Sequence, residues 1–179
     1  MGTMISEQWF VLYVKSGAEE EIAAKINELD QVHAFVPRKI KLYKRQGKII
    51  KVNDIVFRSY VFVETAMDYE TFYVEVINNI KMHSGFYKTL THKTDRNIET
   101  LYPQEKQFLQ SFMNKDHLIE TSVGLIEGDK VTITSGPLMG KESIIKSINK
   151  HKRIAILEIL MMGRAVEVYI PLELMYKNT

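Results

Sequence analysis

The sequence predicts an α+β N-terminal domain, a mixed sheet flanked by helices, joined to a small all-β C-terminal barrel. Three observations carry this. The first part alternates strand-like and helix-like periods in the order strand, helix, hairpin, strand, helix, strand, helix. Residues 114–124 are polar and hold no sustained period, as an interdomain linker would. Beyond them come short alternating strands with turn residues between, the pattern of a barrel of about fifty residues. The expected boundaries are 5–113, 114–124 and 125–179.

Each element has its own signal. Gln8-Trp9-Phe10-Val11-Leu12-Tyr13-Val14 reads as a buried first strand. Ser16 and Glu19 have capping-box spacing, and Ile22, Ile26 and Leu29 form an apolar stripe, which predicts a helix over 17–29. Ala34 to Pro37 is extended. Residues 38–53 read as a hairpin with its turn at Gln46-Gly47 and a cationic exposed face. In 59–64, Val61 and Val63 alternate with Tyr60, Phe62 and Glu64, marking a core strand that follows a bend at Arg58-Ser59. Asp68 caps a second helix with Phe72, Val76, Ile77 and Ile80 on one face. Ser84 to Tyr87 is a short strand or turn, 91–100 a loop, and Pro103 opens a third helix carrying Phe108, Leu109 and Phe112. The barrel strands are expected at 130–134, 143–148, 154–160 and 165–170.

Composition bounds the function. The 179 residues are 45% apolar and 26% charged, as in a globular protein, and no apolar run approaches the roughly 20 residues of a membrane helix. Met1 to Glu7 is short and polar, without a signal-type region. The absence of cysteine removes disulfides, thiolate nucleophiles and Cys-ligated zinc, and fits the cytoplasm. His33, His83, His92, His117 and His151 lack metal-ligand spacing, so no metal or other cofactor is expected. Gly136-Pro137-Leu138-Met139-Gly140-Lys141-Glu142 is one residue short of a phosphate loop and has Glu142 where a hydroxyl should hold magnesium. With no nucleophile elbow or dinucleotide motif either, the chain is not expected to be an enzyme.

The net charge of +2 singles out no partner, but its distribution does. Arg38, Lys39, Lys41, Lys44, Arg45, Lys48, Lys51 and Arg58 face one acid, Asp54, between positions 38 and 58. Lys146, Lys150, His151, Lys152 and Arg153 form a second cluster at a barrel hairpin. Each cluster is either a solvated surface or a phosphate-binding one. By pattern alone, Phe57 and Tyr60 read most simply as core aromatics.

The order of motifs resembles the NusG family of transcription elongation factors. Trp9 to Glu19 resembles the family's opening, and Val36-Pro37, the basic hairpin, Phe57 to Val63 and Gly85-Phe86 continue in order. Gly128-Asp129-Lys130-Val131-Thr132-Ile133 with Gly136, Pro137 and Gly140 resembles a KOW motif, and Met162 to Val168 the end of that barrel. The resemblance covers about Gln8 to Leu174. It implies an NGN domain that docks on the clamp helices of RNA polymerase, with Trp9, Phe57 and Tyr60 as the contacts, followed by a KOW domain. It also places Asn79 near the displaced DNA strand.

Arg58-Ser59 stands where general NusG proteins carry Pro-Gly. With the basic hairpin, this implies a specialised paralogue, most similar to the LoaP group, acting in processive antitermination after binding an RNA hairpin in a leader transcript. The alternatives are a general NusG, a factor of the RfaH kind recruited by DNA, and a KOW-type RNA-binding or ribosome-associated protein. A monomer is expected, with a small-subunit ribosomal protein as a further candidate partner of the KOW domain and no membrane association.

Overall fold

The computed structural model describes residues 7–177. The outer ends of the two expected domains (5 and 6, 178 and 179) and most of the polar start at Met1 to Glu7 lie outside the described residues. The chain forms two compact units, one of residues up to 36 with 57–107 and 161–164, the other of 37–56, 108–160 and 165 onward.

The first unit is built on four strands, β1 (Gln8–Val14), β2 (Val32–Phe35), β5 (Tyr60–Thr65) and β6 (Phe86–Thr89), in the order β2-β5-β1-β6. β1 and β5 pair antiparallel from Gln8↔Thr65 to Tyr13↔Tyr60, so Trp9, Val11 and Tyr13 share one face with Glu64, Phe62 and Tyr60. On the other face Phe10 stacks on Phe72 with ring centroids 3.9 Å apart, beneath the helices.

Helix α1 is Glu19–Ile26, shorter than expected, and buries Ile22, Ala23 and Ile26. Its N-cap is Ala18, not Ser16, and makes no side-chain cap bond. The capping box fails because the Glu19 carboxylate is used elsewhere: one oxygen accepts the Gly17 N–H at 2.6 Å and the other the Ser59 N–H at 2.8 Å. Helix α2 begins as expected, Asp68 accepting the Thr71 N–H at 2.8 Å. It is α-helical over Tyr69–Phe72, π-helical over Tyr73–Ile77 and α-helical again over Asn78–Ile80, with Phe72, Val76, Ile77 and Ile80 buried.

Helix α3 is Pro103–Gln110. Its Lys106 ammonium lies 5.5 Å above the Trp9 ring and 3.2 Å from Glu64. The turn at 161–164 belongs to this unit. Met162 donates its N–H to Glu105 at 2.7 Å, and Arg164 donates to the Thr91 carbonyl at 2.7 Å.

The second unit holds two sheets. β3 (Arg38–Arg45) and β4 (Lys48–Ile55) pair from Arg38↔Ile55 to Arg45↔Lys48, around the expected turn. Gln46 and Gly47 both have positive φ, +51° and +77°, the signature of a type I′ turn. β7 (Leu118–Ile119) pairs parallel with Arg38 and Lys39 only, giving the order β4-β3-β7.

The second sheet comprises β8 (Ser122–Glu127), β9 (Lys130–Ser135), β10 (Ile145–Asn149), β11 (Ile154–Met161) and β12 (Arg164–Tyr176), in the order β10-β11-β12-β8-β9. β7 and the start of β8 lie inside 114–124, the stretch read as linker from its polarity. The observed fold is therefore α+β in its N-terminal part and β-rich in its C-terminal part.

Candidate functional site

The face of the first sheet that carries Trp9 changes character along its length. At one end Trp9 is 1% exposed, its indole N–H donating to Glu64 at 2.8 Å, with Phe35 and Phe62 at its edges. At the other end three tyrosines come together, Tyr87 at the register shift between β1 and β6. Tyr13 and Tyr87 are 37% and 53% exposed, Tyr60 is half-buried, and the Tyr13 ring lies 6.0 Å from Tyr60 and 5.3 Å from Tyr87. Phe57 is buried and packs on Phe62.

Of the three aromatics expected at a docking surface, only Tyr60 thus reaches the surface; Trp9 and Phe57 lie beneath. Tyr13 and Tyr87 escaped the sequence reading. The available signal was the period of two in β1, which puts Tyr13 on the Trp9 face at the strand's end. Tyrosines offer large, rigid contact area with a polar tip, the composition of a protein-docking surface.

The bend beside this surface has a definite geometry. Tyr60 donates its N–H to the Phe57 carbonyl at 3.3 Å, closing a four-residue turn with exposed Arg58 and then Ser59 at φ +68°. Positive φ at the third position alone is a type II turn, which ordinarily takes glycine. Ser59 is held there from two sides, by Glu19 at its N–H and by the Val14 N–H on its carbonyl at 2.9 Å.

The basic hairpin differs from the expected single cationic face. Its register places Lys39, Lys41, Arg45 and Lys48 on one face and Arg38, Lys44 and Lys51 on the other, because opposed residues of an antiparallel pair share a side. Each face also carries apolar groups: Tyr43, Ile50 and Val52 on the first, Ile49 on the second, all exposed.

The individual cations differ. Lys39 is buried, donates to the Tyr169 carbonyl at 2.8 Å and lies over that ring. Lys41 stands 4.0 Å from Asp54. Lys44, Arg45, Lys48 and Lys51 are exposed and make no ion pair among the described residues.

The second basic cluster divides. Lys146 is clamped on the sheet by Glu158 at 3.3 Å and Glu167 at 3.5 Å, and the Glu158 hydrogen bond raises its pKa. Tyr169 donates its hydroxyl proton to Glu167, which holds that carboxyl below its ordinary range. Lys150, His151, Lys152 and Arg153 are exposed in the β10–β11 turn, with Arg153 at 3.8 Å from Glu173. Asn79 is exposed on α2, its amide donating to the Glu75 carbonyl at 2.7 Å, four residues back. Among the described residues no group of three His, Asp or Glu side chains is placed to hold a metal, and no helix is long and apolar enough to cross a membrane.

Comparison with known proteins gives consistent results. The family model described as "Transcription termination factor nusG" matches residues 7–105, more than half of the chain. The transcription termination/antitermination protein NusG of Staphylococcus carnosus is 25% identical over 172 residues, covering 91% of each chain. That of Rickettsia typhi is 24% identical over 186 residues, covering 96% of this chain and 91% of the relative. A solved structure titled "Domain interaction in Thermotoga maritima NusG" is similar over 93% of this chain and 94% of its own, at 18% identity and a TM-score of 0.48. The chain belongs to the NusG family of transcription termination and antitermination factors, which are not enzymes.

Proposed function

We propose that this protein is a specialised NusG-type factor acting in processive antitermination, which docks on the clamp helices of RNA polymerase and binds an RNA hairpin in a leader transcript, as the LoaP group does. In this reading 5–113 is an NGN domain, 114–124 the connection and 125–179 a KOW barrel, and the protein works as a cytoplasmic monomer. The observation that carries the reading is the tyrosine surface beside the Arg58-Ser59 turn. A helix pair needs exposed aromatic anchors on a rigid floor. Tyr13, Tyr60 and Tyr87 are the anchors, and Trp9, Phe57 and Phe62 are the floor. Arg58 adds a cation at the rim where general family members have Pro-Gly.

The exposed hairpin cations and the Lys150–Arg153 turn supply phosphate contacts. Asn79, exposed on α2, is assigned to the displaced DNA strand, and the KOW surface to a small-subunit ribosomal protein. The test is capture of core polymerase by the full-length protein. Tyr60→Ala is expected to weaken capture by about 2 kcal/mol, roughly thirtyfold, as an anchor residue would. Tyr13→Ala should act in the same direction. Failure of the parent protein to capture polymerase would overturn the proposal, and recruitment by duplex DNA instead of leader RNA would favour the RfaH-like alternative.

A further inference from the structure

We propose that the β3–β4 hairpin is a two-sided ribbon that enters the major groove of an RNA helix opened by a bulge or internal loop, engaging phosphates on both faces at once. This rests on the RNA-binding reading above and specifies the kind of RNA.

Among the described residues, the outer part of the hairpin has no third strand beside it. β7 pairs with Arg38 and Lys39, and beyond Lys39 no other strand pairs with the ribbon among the described residues. At about 3.4 Å per residue, the six residues from Ile40 to Arg45 reach about 20 Å. A hairpin that lies flat on a phosphate surface keeps its cations on one face. Here the register forbids that: Arg45 and Lys48 project from one face, Lys44 and Lys51 from the other.

Charge on both sides of a thin ribbon complements a cleft with anionic walls on both sides, which is what a nucleic-acid groove offers. Between the cations, Tyr43, Ile49 and Ile50 are exposed, ready to cover the apolar faces of unstacked bases. At the tip, Arg45 and Gln46 carry donors suited to guanine and adenine edges. Asp54, the acid of this segment, lies at the ribbon's base, opposite Lys39.

The groove itself sets the substrate class. A regular A-form major groove is deep and too narrow for side chains to read. An interruption in the helix widens it. A B-form major groove, about 12 Å wide, also admits a two-stranded ribbon, so duplex DNA is the competing occupant that the test must separate.

The experiment measures binding of the full-length protein, over a series of salt concentrations, to three labelled probes. These are a fully paired RNA hairpin, the same hairpin with a bulge in its stem, and a DNA duplex of the stem sequence. Arg45→Gln with Lys48→Gln removes two cations from one face, and Lys44→Gln with Lys51→Gln removes two from the other; circular dichroism confirms that each folds.

The bulged RNA is expected to bind tightest. Each double substitution should reduce the slope of log K against log salt by roughly 1.4 to 1.8, the release expected for two phosphates, and the fourfold variant by the sum. An effect confined to one pair would overturn two-sided insertion in favour of a flat dock. Equal affinity for paired and bulged RNA would overturn the opened groove. Tighter binding to the DNA duplex would overturn the choice of RNA. No binding of the parent protein to any probe would overturn the RNA-binding reading itself, a result distinct from the other three.

Discussion

Ser59 occupies a backbone conformation that costs a non-glycine residue about 1–2 kcal/mol, and Glu19 helps to hold it there. The two residues are 40 apart in sequence, and Glu19 is 2% exposed, so its charge is kept in the interior by the N–H groups of Gly17 and Ser59. Two opposite effects are expected from denaturant unfolding. Ser59→Gly should raise stability by about 0.5–1 kcal/mol, since glycine adopts the left-handed region without strain at some cost in chain entropy. Glu19→Ala should lower it by about 1.5–3 kcal/mol, because the N–H groups of Gly17 and Ser59 lose a charged acceptor. The sequence showed the bend at Arg58-Ser59 but assigned Glu19 to a capping box with Ser16. A side chain that serves the backbone of a distant turn leaves no periodic trace, whereas S-x-x-E spacing is a local pattern visible in the sequence itself.

At the level of elements, the sequence located cores better than it located surfaces. The α2 stripe of Phe72, Val76, Ile77 and Ile80 is buried as its spacing implied, and Asp68 caps the helix. The π-turn at Tyr73–Ile77 was not legible, because a stripe at spacings of three and four tolerates one inserted residue without changing which side chains are buried. Asp68 also links this helix to pH. The Thr71 N–H bond lowers its pKa in the folded state, so the carboxylate's contribution is fully present above the unfolded value near 4 and is lost as pH falls through the lower, folded one. Thermal melts between about pH 5 and 2.5 should therefore show a falling Tm, and Asp68→Asn, which caps without ionising, should fall less steeply. In β3–β4 the turn and strand limits were legible from Gln46-Gly47. The division of the lysines between two faces followed only from pairing each residue with its partner, a register the composition of the segment does not reveal.

For the molecule as a whole, the motif order led to the family, and the order of elements in the first unit follows the expected sequence. Less legible were contacts that join segments distant in the chain. The parallel pairing of β12 with β8, from Leu172↔Ser122 to Tyr176↔Ile126, closes a span of about fifty residues. It recruits Ser122 and Val123 from a polar stretch with no alternation of its own. The grouping of 37–56 with the C-terminal strands is another such case, since the hairpin's local pattern is complete without it. Tyr13 and Tyr87 meet only through the β1–β6 pairing, which is why the tyrosine surface was found in the structure and only Tyr60 in the sequence.

The hairpin's outer strand has a consequence for how copies of this protein tolerate one another. Among the described residues β4 has a strand neighbour on one side only, and its run Ile49-Ile50-Lys51-Val52 leaves Ile49, Ile50 and Val52 between 41% and 59% exposed. Such an open edge is a template for strand-by-strand self-association, and charged side chains are what usually interrupt it. Lys51 is the interruption here. Lys51→Val would create four consecutive β-formers on an open edge and is expected to shift the protein to larger, concentration-dependent species in light scattering. Lys51→Glu, which keeps a charge of the other sign, should stay dispersed. Aggregation of both variants alike would show that the sign of the charge matters, and no change in either would show that the edge is guarded by its length and twist alone.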